Sequence, residues 1–70
     1  MSMNDDTFNL SIRKFLKMVG VSSQREIEHA VDAAVKQGTI SGSTSLPCRM
    51  TLEIEGVQLK VVFDGSIELA

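Results

Sequence analysis

The chain has 70 residues, enough for one small domain near the lower limit of a self-sufficient core. Seven basic and nine acidic residues leave a formal net charge of −2, which excludes a general nucleic-acid binder, since neutralising phosphates needs a positive field. A single cysteine excludes an internal disulfide and suits a reducing compartment, and a hydrophobic content of 43% excludes a disordered chain.

Residues 1–4 are expected to fray. The acidic start around Asp5 and Asp6 has neither the positive segment nor the apolar core of a signal peptide. No apolar run approaches the roughly 20 residues of a membrane helix, so a cytoplasmic protein is expected.

The first element is a helix over residues 6–19. Phe8, Ile12, Phe15, Leu16 and Val19 recur at helical spacing and make one apolar stripe. Asn4, Asp5 and Asp6 supply capping oxygens and negative charge at its start. Gly20, just past the last apolar position, reads as a left-handed cap that ends the helix. Ser23-Gln24-Arg25-Glu26 then matches a capping box, a serine with glutamate three positions on, and opens a second helix over residues 23–37. Its apolar face, Ile27, Ala30, Val31, Ala34 and Val35, is narrow and built of small residues. Gly38 stops it.

Residues 38–47 read as a loop, rich in glycine, serine and threonine. Beyond it the chain alternates. Cys48, Met50, Leu52 and Ile54 share one face of a strand over residues 48–55. Val57, Leu59, Val61 and Phe63 share a face of a second strand over residues 57–63. A two-residue Glu55-Gly56 turn pairs Ile54 with Val57 and Leu52 with Leu59, which keeps every apolar pair on one side. Asp64-Gly65 reads as a second turn, with Gly65 as a bulge, leading to a third strand over residues 66–69. The expected fold is α+β: a single domain, residues 1–70, with two helices packed on an antiparallel hairpin or three-stranded meander.

The stretches DDTFNLSIRKFLKMVGVSSQREIEHAV, LPCRMTLEI and FDGSIEL resemble a family of short bacterial proteins, about 70 residues long, of unknown function. The likeness spans residues 4–69. It implies a stand-alone bacterial domain and brings no functional residues with it.

Candidate chemistry is sparse. Gly20-Val21-Ser22 between two helices, followed by a hairpin, has the outline of a winged helix. Against that, the second helix carries Glu26, Glu28 and Asp32 where a groove-reading helix needs basic residues. Arg13, Lys14 and Lys17, with Arg25 across the corner, are the candidate contacts for an anion or an acidic partner. The amides at Ser22-Ser23-Gln24 would sit beside them at a helix start. Cys48 faces inward next to Met50 and is expected to be a buried structural thiol. His29 with Glu28 and Asp32 lacks the clustered ligands of a zinc site. No catalytic residue, cofactor site or metal site is assigned, and no enzymatic activity is expected.

Leu10, Met18, Ile40 and Val62 are apolar residues that the folding pattern leaves over, and are the candidate interface. The expected role is a small non-enzymatic protein-interaction module, with an unknown protein or a second copy as partner and a homodimer as one form. The alternative is a winged-helix-like nucleic-acid binder.

Overall fold

The computed structural model describes residues 3–70. The chain divides into two compact units, Met1–Gln37 and Gly38–Ala70. Of the residues expected to fray, Met1 and Ser2 lie outside the described ones; Met3 and Asn4 precede the first helix.

The first unit is one helix, α1, Asp5–Lys36, of 32 residues. At about 1.5 Å per residue it is roughly 48 Å long. The Asn4 side chain caps it: Oδ1 accepts from the Thr7 amide at 3.0 Å. Asp5 and Asp6 occupy the first turn and Lys36 the last, matching the helix dipole at both ends. At the far end the Gln37 amide donates to the Ala33 carbonyl at 3.0 Å. Gly38 then takes φ +76, the left-handed conformation that glycine adopts without cost, so the expected stop at this glycine is observed.

The corner expected at Gly20 is not there. Gly20, Val21, Ser22 and Ser23 are helical, and Gly20 does not adopt a positive φ. Two helices, 6–19 and 23–37, are thus one. The reason lies in the phase of the apolar positions. Phe15, Val19, Ile27, Val31 and Val35 fall on one i+4 series that runs across the supposed break, interrupted only by Ser23. A cap and a capping box only permit a turn; without packing that rewards turning back, the chain keeps its backbone bonds by continuing. Carrying Gly20 through costs about 1 kcal/mol relative to alanine.

The second unit is a hairpin. Strand β1, Ser45–Ile54, pairs antiparallel with β2, Leu59–Glu68. Between them Glu55–Val57 forms one 3-10 turn, closed by the Gln58 amide donating to the Glu55 carbonyl at 3.0 Å. Gln58 takes φ 52 and ψ 40, so it, not Gly56, adopts the left-handed conformation. The turn therefore holds four residues rather than two. The register becomes Ile54 with Leu59, Leu52 with Val61 and Met50 with Phe63. It has slipped by two, and an even slip leaves the residues that stay in the strands on their expected faces; Val57, expected in the second strand opposite Ile54, lies in the turn instead.

The third strand is also absent. β2 runs straight through Asp64-Gly65, with Gly65 opposite Cys48 and Asp64 opposite Arg49. Ser66–Glu68, expected as a separate strand, is the end of β2 and pairs with β1 at Ser45–Pro47, which were expected in the loop. Ile67 nonetheless joins the apolar face, opposite Leu46. The Leu69 amide donates to the Thr44 carbonyl at 3.2 Å and extends the ladder one step. The preceding loop is tied by Ser41 and Thr44. The Ser41 amide donates to Thr44 Oγ1 at 3.1 Å and the Thr44 amide to the Ser41 carbonyl at 3.2 Å.

Neither unit contains a core: among the described residues none is buried. The side chains expected to form one stand open, Phe8 at 49%, Phe15 at 48% and Phe63 at 56% exposure. A lone helix and a two-stranded sheet each have an apolar face with no second layer of their own to cover it.

Candidate functional site

The basic residues come first. Arg13, Lys14 and Lys17 lie within about one and a half turns of α1. Arg25 is not folded back across a corner onto them. It lies roughly 12 Å farther along the same helix axis than Lys17. The anion site expected at Ser22-Ser23-Gln24 is lost with the corner. Those residues are interior to α1, where each amide bonds the carbonyl four residues back. Helix-turn-helix geometry is lost as well, because no separate second helix exists to enter a groove.

The candidate interface residues are spread over three elements. Leu10 and Met18 lie on α1, both exposed, eight residues apart. Ile40 is half-buried in the loop after α1. Val62 is exposed on β2, opposite Thr51 on the polar face of the hairpin.

Larger apolar surfaces are the stripe of α1 and the apolar face of the hairpin. On α1 the bulky members, Phe8, Ile12, Phe15 and Leu16, occupy the first half. The second half carries Ile27, Val31 and Val35 with the smaller Ala30 and Ala34. On the hairpin the face is Leu46, Cys48, Met50, Leu52 and Ile54 against Ile67, Gly65, Phe63, Val61 and Leu59. Sequence periodicity identified both surfaces, but as an internal core; what it missed is that they are open.

Cys48 is free and exposed, not buried as expected, because its strand face has no covering layer in its unit. A methyl group added at Gly65 would lie 3.6 Å from its Sγ, an ordinary contact. A shallow depression is lined by Pro47, Cys48, Arg49 and Asp64. Its walls are one pair of strands, and Cys48 and Arg49 point to opposite faces, so no base or cation is aimed at the thiol. On the polar face Arg49 stands opposite Asp64 and Glu53 opposite Lys60, two cross-strand pairs of opposite charge.

His29 is exposed on α1. Asp32 Oδ2 pairs with Lys36 Nζ at 3.0 Å, one turn on, with both side chains mostly in solvent. Among the described residues no group of three or more His, Cys, Asp and Glu side chains could hold a metal ion. No helix of the described residues is long and apolar enough to cross a membrane.

A long amphipathic helix followed by an antiparallel two-stranded hairpin, each with an open apolar face, defines a small α+β protein. The chain belongs to the DUF6494 family, a family of unknown function, whose profile matches residues 3–70. Neither the curated proteins nor the solved structures gave a match to the chain.

Proposed function

We propose that this protein is a non-enzymatic interaction module of the cytoplasm that works by burying the apolar stripe of α1 against a protein partner. One observation carries the reading: no described residue is buried, although both units hold continuous apolar faces. Contiguous exposed apolar surface of this kind is what protein interfaces use. Helices of this type also owe most of their stability to packing of the amphipathic face rather than to propensity. The mid-helix run from Val19 to Ser23 is poor in helix formers, so α1 gains from a partner across that stretch. A lone thiol suits the reducing cytoplasm.

The test is association. Purified full-length chain, immobilised and exposed to a lysate of its host under reducing conditions, should retain a protein that a Phe15→Asp variant does not. Light scattering over a concentration series should show mass above that of the monomer if the partner is a second copy. A chain that stays monomeric and captures nothing dependent on Phe15 would remove the reading. Duplex DNA titrated at low salt is the companion control, since phosphate contacts are strongest there, and no binding is expected.

A further inference from the structure

We infer that the free edge of β2 pairs with the same edge of a second copy, antiparallel, with Lys60 opposite Glu68 of that copy. This surface is separate from the stripe of α1, so the inference goes beyond the interaction-module reading. Its first support is the bonding of the hairpin. Among the described residues the sheet has two strands, β1 and β2. A two-stranded sheet alone is marginal in water, whereas three or more strands sharing an apolar face hold together. The bond from the Leu69 amide to the Thr44 carbonyl fixes which positions face the other strand of the hairpin. By alternation, the amides and carbonyls of Lys60, Val62, Asp64, Ser66 and Glu68 point outward from β2, and all five residues are exposed. No proline interrupts that row, while on β1 the outward position 47 is a proline without a hydrogen to donate. β2 therefore offers the longer template.

The charges select the register. With a two-fold axis at Asp64, Lys60 meets Glu68 of the second copy and Val62 meets Ser66, each pair occurring twice. Lys60 stands opposite Glu53 of β1, yet the ion pair formed among the described residues is Asp32 with Lys36. The Lys60 ammonium is available. Glu68 is already oriented: its Oε1 accepts from Ser45 Oγ at 3.0 Å and from Ser66 Oγ at 3.4 Å. Opposite charges directly across two strands attract.

The apolar face agrees independently. The same register sets Val61 opposite Ile67, Leu59 opposite Leu69 and Phe63 opposite Gly65 of the second copy. A methyl group added at Gly65 would meet Cys48 Sγ at 3.6 Å and nothing else beyond its chain neighbours. The space over this glycine takes the Phe63 ring of the adjoining strand. Asp64 meets its own copy at the axis, a like-charge contact, with Arg49 opposite each one from β1. An axis at Phe63 would relieve that contact but set Lys60 against Ser66, and an axis at Gly65 would set Val62 against Glu68. Charge on one face and size on the other, read separately, give one register.

Amide exchange by NMR on the full chain under reducing conditions, over a concentration series up to millimolar, tests this beside sedimentation equilibrium. The wild type should dimerise. Protection should rise with concentration at Val62, Asp64 and Ser66, while Arg49, Thr51 and Glu53 on the outer side of β1 stay open. Lys60→Glu should dimerise about tenfold more weakly, and Glu68→Lys likewise. The double variant should recover, since the two residues lie eight positions apart on one strand and can meet only between copies. Asp64→Asn should tighten the dimer about threefold by removing the like-charge contact. Cross-strand NMR contacts between β1 and β2 verify the hairpin in every variant. Phe15→Asp should leave all of this unchanged, so failure here and failure of the α1 reading are told apart. A chain that is monomeric at millimolar concentration overturns the pairing, as does protection that rises on β1 instead. So does a double variant that fails to recover with its hairpin intact.

Discussion

The helix unit and the hairpin unit hold their shapes in different ways. In α1 every backbone bond joins residues four apart, and the only fixed ends are the Asn4 cap and the left-handed Gly38. The hairpin is held by pairs that reach from Ser45 with Glu68 to Ile54 with Leu59, so each bond depends on register. A helix tolerates poor residues in its middle because bonds on either side persist. A hairpin tolerates an altered turn if the slip is even, because the faces are conserved. Each unit absorbs an irregularity where its bonding is redundant: α1 at Gly20, the hairpin at Glu55–Val57.

Proline at position 21 probes that contrast most strongly. Val21→Pro should cost about 3 kcal/mol in a continuous helix. A large loss of helical circular dichroism is expected, with the hairpin's amide exchange protection unchanged. Were Val21 in a corner, the same change would be nearly silent. The hairpin counterpart is Gln58→Gly, which relieves a left-handed residue and should stabilise the turn by about 1 kcal/mol, read from the strand amides by NMR. Gly56→Ala should do almost nothing, since Gly56 has no positive φ and no atom lies within 4 Å of an added methyl. The opposite ranking would restore the two-residue turn.

Gly20→Ala should then raise helix stability by a little under 1 kcal/mol, because the site is helical and open. A left-handed cap there would give the opposite sign. Smallest of all, a double-mutant cycle on Arg49 and Asp64 should return about 0.5 kcal/mol in low salt, confirming their register across the strands.

What could be read from the residues follows the same division. Alternation from Cys48 to Ile54 and from Leu59 to Phe63 assigned both strand faces, because a period of two survives an even shift. Gly38 was legible as a stop because glycine, a loop-forming stretch and the end of the apolar row coincide there. Gly20 was not, since a glycine followed by a capping box looks the same whether or not packing draws the chain back. The i+4 row from Phe15 to Val35 was the available signal, and it favoured continuity. Asp64-Gly65 has the composition of a turn, yet in β2 the aspartate answers Arg49 and the glycine sits beside Cys48. The apolar stripe itself was fully legible. Whether it faces inward or outward was not, because periodicity marks a face and does not say what covers it.

Pro47 has a consequence of its own. It lies in β1 opposite Ser66, three steps from the Thr44–Leu69 bond that ends the ladder. Alternation of paired and unpaired positions turns the nitrogen of residue 47 away from β2, where proline has no hydrogen to offer. The outer side of β1 is therefore missing a donor near its start, while that of β2 carries an uninterrupted row. An incoming strand would meet two unequal borders, and the one that can template a full ladder belongs to β2.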